Sequence, residues 1–439
     1  MLQYIIAFVI ILLFLFFFIK KPTVETYVKF TILSLPFTDT KLLPLEYGFV
    51  KVFDILALTA FIFLFKEFLT LKNKRTNMTY LVMVVIFISI TLFGKFSSSF
   101  PDEKLYTLYP IFTIFIFLRY FIKYLYEDFT RRFELVHLLK IGFVVAMVAM
   151  FLQMSVSQEI TYYSAVHGNA RGESISTTRF PGLFADSQTN GQFLAMGSFL
   201  FLYGTASIRK VNYLRFLGFI CMALCVVLAG SRSALGGLLV GTVLIFLMAN
   251  LRTKLIIGSL AAITMLIVIV AKPSIAILGR TDNVGEDLSF REAIWEETML
   301  MIEDNPIIGI GLGNYQKYIM TYYQDLNIVI EPGVKYYYFS QPENGYLKIL
   351  VEHGIIAFVL LFILILRPVF KNFLRLMNHS AMVEVKFVLC SIVAFLVAFT
   401  TVYSFLDYRL LSLFGILISL SILHTNYRKS YNHTATQFI

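Results

Sequence analysis

The sequence predicts an all-α membrane protein with 12 or 13 transmembrane helices. Hydrophobic residues make up 58% of the 439 positions and charged residues only 15%, a balance that excludes an ordinary soluble domain. Apolar runs long enough to span a bilayer recur along the whole chain. Lysine and arginine are concentrated in the short segments between alternate runs, as the positive-inside rule requires for a multi-pass protein.

The candidate spans follow one another from the first residues to the last. They lie near residues 2–19, 27–37, 49–65, 79–93, 105–122, 136–154, 189–206, 214–230, 234–249, 255–271, 346–366, 385–404 and 409–424. The run at 27–37 is short and contains Pro36, so it is either a full span or a half-span, and the N-terminus lies outside or inside accordingly. The first run lacks a basic n-region and a cleavage site, and we interpret it as a retained span.

The orientation follows from six basic segments, which we assign to the cytoplasm. They lie at residues 66–75, 119–132, 209–215, 252–254, 367–375 and 428–429. The same assignment explains the net charge of +10 without a nucleic-acid partner. The loops 155–188 and 272–345 and the turn at Arg232 then face the periplasm or cell exterior of a bacterium.

Four regions result from this topology. They are the N-terminal transmembrane helices (1–154), the central helices with an outer loop and the Arg232 turn (155–271), a large outer loop (272–345), and the C-terminal helices with a cytoplasmic tail (346–439). In the large loop, Ser289 and Glu292 have the spacing of a capping box and predict the start of an amphipathic helix on the membrane surface. Asn305 and Pro306 end that helix.

Four arginines on the outer side run against the positive-inside bias: Arg171, Arg179, Arg232 and Arg291. Arginine forms bidentate hydrogen bonds with phosphate and keeps its charge at any working pH. The alternative is that each one extends to the interface or pairs with a nearby carboxylate. For Arg179 and Arg232 together we favour anion binding, which points to a ligand with a diphosphate group at the membrane face.

Polar residues at the entrances of two spans are further candidates. Asn190 follows the turn-forming segment 179–186 and would either contact sugar hydroxyls or cap a helix. Asp186 or Ser187 is predicted to cap that helix. Glu343 precedes the span at 346–366, where it would act as a general base or stabilise the helix N-terminus, and chemistry alone favours the second role. Asp407 and Arg409 are expected to pair, with no assigned role.

Neither a metal site nor a disulfide is predicted. The three cysteines lie inside apolar runs, and the six histidines are scattered without metal-ligand spacing. We therefore expect chemistry that uses no metal and no cofactor.

Four segments, in this order, resemble the O-antigen polymerase and ligase family. They are RFPGLFADSQTN (179–190), GSRSALG (230–236), SFREAIW (289–295) with NPIIGIGLGNY (305–315), and PENGYLKILVEHGII (342–356). The resemblance covers residues 180–367 and the topology of the rest. It implies a fold of the membrane glycosyltransferase C type.

The resemblance also implies a reaction. Family members transfer glycans carried on undecaprenyl diphosphate at the outer face of the bacterial cytoplasmic membrane, to build O-antigen of lipopolysaccharide, capsule or other exopolysaccharide, and a chain-length regulator is an expected partner. Arg179, Arg232 and Arg291 would neutralise the diphosphate, and Glu343 would act as base. The expected substrate contacts are Arg171, Asn190, Asn344 and Tyr346.

One departure from the family pattern favours a polymerase over a ligase. Ligases place a histidine just before the asparagine of the last segment, and here that position is Glu343. A ligase remains the alternative within the family. A flippase or transporter of lipid-linked glycans is the alternative of another class, although the sequence shows no internal symmetry and its polar residues cluster at one face.

Overall fold

The computed structural model describes residues 2–45, 48–70, 101–157, 160–163, 179–204, 213–248, 254, 284–322, 341–378 and 382–435. In this part of the chain helices dominate, and the fold class of an all-α, multi-pass membrane protein is confirmed. The expected spans at 79–93 and 255–271 lie outside the described residues.

The N-terminal half contains six α-helices and a hairpin among its described residues. In chain order these are α1 (Leu2–Lys20), α2 (Val24–Ser34), β1 (Lys41–Leu45), β2 (Gly48–Lys51), α3 (Val52–Phe63), α4 (Phe65–Leu69), α5 (Pro101–Glu127) and α6 (Arg132–Ser155). Helix α2 has 11 residues and would be about 17 Å long at 1.5 Å per residue, too short to cross the apolar core alone.

The remaining described helices build the second half. They are α7 (Ser187–Leu202), α8 (Tyr213–Leu228), α9 (Arg232–Met248), α10 (Val284–Asp304), α11 (Tyr315–Tyr322), α12 (Gly345–Met377), α13 (Val385–Ala398) and α14 (Tyr408–Ala435). Helices α7, α9 and α13 pack against one another, α8 lies beside α7, and α14 contacts both α5 and α12.

Four segments of the described chain are long and apolar enough to cross a membrane. They are Gln3–Lys20, Phe129–Ser155, Gly345–Met377 and Tyr408–Thr425. Four shorter apolar helices accompany them: Val52–Phe63, Tyr213–Leu228, Arg232–Met248 and Val385–Ala398. The predicted count of 12 or 13 spans stays a prediction, since part of the chain is not described.

The hairpin was not predicted. Lys41–Leu45 pairs antiparallel with Gly48–Lys51, and the second strand occupies the first residues of the span expected at 49–65. Strands of four or five residues are too short for their periodicity to distinguish them from the end of a helix. Asp54 accepts a hydrogen bond from the Lys51 backbone N–H at 2.8 Å, which fixes the start of α3 directly after the hairpin.

Glycine allows a close contact between helices α9 and α13. A methyl group built on Gly237 of α9 would lie 2.2 Å from the Ala394 carbonyl oxygen of α13, whereas one on the neighbouring Gly236 would meet nothing within 4 Å. Small residues permit such approach of helix backbones where water cannot drive association. The backbones of α9 and α13 therefore lie in close contact at Gly237.

The predicted start of the loop helix is wrong. Helix α10 begins at Val284, so Ser289 lies inside it and cannot form a capping box with Glu292. Positions i and i+3 also share one face in the middle of any helix, and the spacing alone does not mark a start. The end at Asp304, before Asn305 and Pro306, is as predicted. Helix α10 packs on α12, and its buried Met301 shares an apolar cluster with Val351 of α12.

Candidate functional site

The segment 179–186 is held against three other parts of the protein. Phe180 N–H donates to the Leu228 carbonyl at the end of α8, at 3.2 Å. Gly182, at φ 60°, donates its N–H to Gln153 Oε1 at 2.9 Å. Asp186 ends the segment as the N-cap of α7, where its carboxylate accepts the Thr189 N–H at 2.8 Å. Capping by Asp186 is thus what the structure shows.

The Arg232 turn connects two apolar helices, as the sequence predicted. Helix α8 ends at Leu228 and α9 begins at Arg232 itself. Gly230 takes a left-handed conformation with φ 65°, which an L-residue with a side chain adopts only under strain. The Ser231 hydroxyl accepts the Ala234 N–H at 3.4 Å. Arg232 is half-buried in the first turn of α9.

Close packing joins the first two motif segments. Gly191 of α7 lies against the Arg232 turn, because a methyl group on it would be 2.7 Å from the Ser231 Cβ. With the bond between Phe180 and Leu228, this places the backbone that carries Arg179 beside the backbone that carries Arg232. These two arginines therefore start from adjacent loops at the same end of the bundle.

A second set of bonds brings in the last motif segment. Gln192 of α7 donates its amide to the Ala398 carbonyl at 3.1 Å. The next carbonyl, that of Phe399, accepts the Gly345 N–H at 2.9 Å. The N-terminal part of α7, the C-terminal end of α13 and the start of α12 are consequently held together. The bonds of Gln153 and Gln192 were not predicted, because a glutamine in an apolar run gives no sign of its partner.

The turn before α12 is fixed by residues of the large loop. Trp295 of α10 donates its indole N–H to the Pro342 carbonyl at 2.9 Å. The Arg291 Nη2 lies 3.1 Å from the Glu343 Oε2, with side chains 26% and 39% exposed. Glu343 has φ 47° and is the one residue other than glycine with a positive φ in the described chain. Such a conformation in a charged residue often marks a functional site.

Asn344 and Tyr346 both have structural partners. The Asn344 Oδ1 accepts the N–H groups of Tyr346 and Leu347 at 3.0 and 3.2 Å and so caps α12. The Tyr346 hydroxyl donates to the Leu396 carbonyl at 2.5 Å. Asn190 is fully buried and donates its amide to the Phe180 carbonyl at 3.3 Å. Each of these bonds helps to hold the segments that carry the charged residues.

Helix α12 is broken at Gly354, and the segment 305–314, which we call the glycine-rich loop, packs against the break. Gly354 has φ 72° and ψ 174°, so the helical hydrogen bonds across it are lost. The carbonyls of Val351 and Glu352 instead accept the N–H groups of Ile310 and Gly311, both at 2.9 Å. The loop replaces the missing backbone partners, as a break at membrane depth requires. The sequence did not predict this break.

A buried ion pair lies under the loop. Lys348 Nζ and Glu352 Oε1 are 2.8 Å apart, with side chains 8% and 1% exposed. Glu352 also accepts the Tyr315 N–H at the start of α11, at 3.3 Å. Burial raises the pKa of the Tyr315 phenol well above its usual range, and that phenol bonds the Thr298 hydroxyl at 2.7 Å. The bonds of Glu352 and Tyr315 thus link α10, α11 and α12 to one another.

Arg179 is the most deeply buried of the three predicted arginines that the structure describes. It is only 7% exposed, and its Nε has no hydrogen-bond partner among the described residues. An unsatisfied buried donor is costly, and it suits a ligand that supplies the acceptor. Arg171 lies outside the described residues. Within the described ranges, no cluster of three or more histidine, cysteine, aspartate or glutamate side chains could hold a metal ion.

Comparison with known proteins finds a family match over part of this site. Residues 217–362 match the model of the O-antigen ligase family, which confirms the resemblance expected from the motif segments. The match includes the Arg232 turn, α10, the glycine-rich loop and the start of α12. A stretch of 192 residues is 24% identical to an uncharacterised protein of Haemophilus influenzae and covers 39% of this chain and 47% of that protein. The chain therefore spans about half the length of the curated relative that it matches.

Proposed function

From the identification of residues 217–362 as an O-antigen ligase family domain, we propose that this chain is a glycosyltransferase. It polymerises oligosaccharide repeat units carried on a polyprenyl diphosphate, the carrier being undecaprenyl diphosphate. The reaction takes place at the outer face of the bacterial cytoplasmic membrane. Its product is an O-antigen, capsule or exopolysaccharide chain, and a chain-length regulator is its expected partner.

One observation carries this proposal: the motif segments that are far apart in the sequence meet at one end of the bundle. Phe180 bonds Leu228 beside the Arg232 turn, and Gly345 bonds Phe399. Arg291 reaches Glu343. Three arginines and a carboxylate thus belong to one cluster of loops and helix ends, which is the composition that a diphosphate and a sugar hydroxyl need.

The reaction requires little from the protein beyond position and charge. A hydroxyl oxygen of the acceptor attacks the anomeric carbon of the donor, and the bond between that carbon and the diphosphate oxygen breaks. The bonding electrons leave with the diphosphate, whose negative charge Arg179, Arg232 and Arg291 neutralise. Glu343 takes the proton of the attacking hydroxyl. Arg171, Asn190, Asn344 and Tyr346 belong to the substrate-binding surroundings in this proposal.

The ion pair of Arg291 and Glu343 is compatible with diphosphate binding by the arginine and with proton transfer to the glutamate. The Glu343 carboxylate lies 3.1 Å from the Arg291 Nη2 and holds this guanidinium beside the turn before α12 until substrate arrives. A diphosphate, with more acceptor oxygens and more negative charge, competes for the same guanidinium. Binding of the donor would then leave the carboxylate of Glu343 available for the acceptor hydroxyl.

A ligase is the second candidate, because the matching family is described as O-antigen ligase. A ligase moves a finished glycan to another acceptor, such as a lipid core, a protein or a wall polymer. The glutamate at 343, where ligases have histidine, supports the polymerase.

The length of the glycan on its carrier separates the candidates. In a strain that lacks the gene, we expect single repeat units to accumulate on the lipid. Full-length polymer that stays on the lipid carrier would instead identify a ligase. Purified protein supplied with lipid-linked repeat units should also release polyprenyl diphosphate, and no release would be the behaviour of a transporter.

A further inference from the structure

Arg409 is the most deeply buried lysine or arginine among the residues that the structure describes. Its side chain is 1% exposed although it lies in the first turn of α14, where the helix dipole disfavours positive charge. Its Nε donates to both Asp407 oxygens, at 2.9 and 3.2 Å. Burial of such a charge is costly unless its partners compensate it, so the contacts of this guanidinium decide what it can do.

Of the two remaining nitrogens of Arg409, Nη2 also bonds Asp407, whereas Nη1 donates to the Pro36 carbonyl at 3.4 Å and to the segment that carries Arg179. Nη1 donates to the Leu183 carbonyl at 2.7 Å. The guanidinium carbon lies 3.5 Å from the centre of the Phe184 ring. Leu183 and Phe184 stand in the middle of segment 179–186, between Arg179 and the N-cap Asp186.

A brace keeps Arg409 in place. Asp39 Oδ1 accepts the Tyr408 N–H at 3.0 Å and the Lys51 ammonium at 2.6 Å. Lys51 also donates to the Leu406 carbonyl at 3.2 Å. The hairpin that was missing from the sequence prediction thereby fixes the turn before α14, and that turn presents the guanidinium to the segment.

We propose that Arg409 is a positioning residue that holds segment 179–186 so that the Arg179 guanidinium meets the diphosphate. This inference rests on the proposed function, in which Arg179 binds that group. Gln153 and the Leu228 carbonyl hold the first part of the segment, and Arg409 holds the second part. Lysine cannot replace it, because an ammonium provides neither the planar stacking on Phe184 nor the rigid, extended fork of donors that bonds Asp407 and Leu183 at the same time.

The test compares Arg409→Lys, Arg179→Lys and the double variant in the full-length protein purified in detergent. The substrate is the lipid-linked repeat unit extracted from the deletion strain, and the readouts are release of polyprenyl diphosphate and melting temperature. We expect Arg409→Lys to lower kcat/KM about 100-fold, the size of effect that a misplaced binding group produces. The double variant should be little worse than Arg179→Lys, since both changes remove one function.

Arg132→Lys is the matched control. Arg132 is also buried at 7% exposure and donates to the Phe129 carbonyl at 2.8 Å, but it lies at the opposite end of α6 from Gln153. It should lower the melting temperature while the folded fraction keeps its kcat/KM. If Arg409→Lys does not fold, Phe184→Leu removes the stacking surface and takes its place in the same comparison.

Two results overturn the inference, and they can be told apart. Full activity of Arg409→Lys, or losses that multiply in the double variant, would show that Arg409 does not act through Arg179. Full activity of Arg179→Lys and Arg179→Ala would instead refute the proposed diphosphate contact itself, and the role of Arg409 with it.

Discussion

The Arg291 guanidinium and the Glu343 carboxylate form an ion pair at 3.1 Å between helix α10 and the turn before α12. Sequence reasoning proposed both residues for the site but assigned them separate tasks and did not predict that they touch. The pair therefore gives a sharp test of whether these residues act in chemistry or only hold the loop.

Exchanging the two charges tests the ion pair. Arg291→Glu and Glu343→Arg are each expected to lower polymer formation by about 100-fold or more, the range for loss of a general base or its equivalent. The double exchange restores an ion pair but puts each group on the wrong segment, so activity should not return. Polymer is measured on gels of envelope glycan from the deletion strain carrying each variant. Recovery of normal polymer by the double variant would mean that the pair is purely structural.

Arg232 should not tolerate lysine. Arg232→Lys keeps the charge but loses the bidentate geometry that suits a diphosphate, and we expect polymer formation to fall nearly as far as in Arg232→Ala. Arg131→Lys is the control, because Arg131 forms a partly exposed ion pair with Glu127 at 3.2 Å, and such pairs contribute about 1 kcal/mol at most. Normal polymer from both Arg232 variants would remove this residue from the mechanism.

Asn344 offers a test that separates helix capping from substrate contact. Asn344→Ala should destabilise the protein by about 1 kcal/mol, since it removes the acceptor for two N–H groups. Asn344→Asp keeps that acceptor and should restore the melting temperature. If activity returns together with stability in Asn344→Asp, capping explains the residue. If stability returns and activity does not, the amide contacts the substrate, as the proposed function has it.

The adjacent glycines of α9 should respond in opposite ways to alanine. Gly237→Ala places a methyl group against the Ala394 carbonyl and should cost about 1–3 kcal/mol, as overpacking does. Gly236→Ala meets nothing within 4 Å and should be neutral or stabilising by up to about 1 kcal/mol, because alanine favours a helix. Melting in detergent measures both. Equal melting temperatures for the two variants would contradict the close approach of α9 and α13.

Sequence reasoning reached the all-α, multi-pass fold class, the Arg232 turn and a helix cap at Asp186 or Ser187, because each depends on local pattern. Hydrophobic run length sets a span, and a carboxylate before an apolar run sets a cap. The family resemblance of the motif segments was also visible in the sequence, and the match over residues 217–362 confirms it.

What escaped prediction depends on partners that are distant in the chain. Gly354 reads as one more glycine in an apolar helix until the N–H groups of Ile310 and Gly311 are seen to bond across its break. Glu352 has the local i,i+4 spacing to Lys348, but the sequence gives no sign of its bond to the Tyr315 N–H. Arg409 was expected to pair with Asp407 and does, but its bond to the Leu183 carbonyl joins residues that are 226 positions apart in the chain.

The bonds that gather the loops at one end of the bundle mostly end on peptide oxygens, namely those of Leu228, Pro342, Ala398 and Phe399. Every amino acid supplies that oxygen, so mutation at an accepting position leaves the bond available as long as the backbone keeps its course. The scaffold is therefore open to extensive divergence during evolution. Distant homologues of this chain could accordingly differ at all four accepting positions and still hold these loops together.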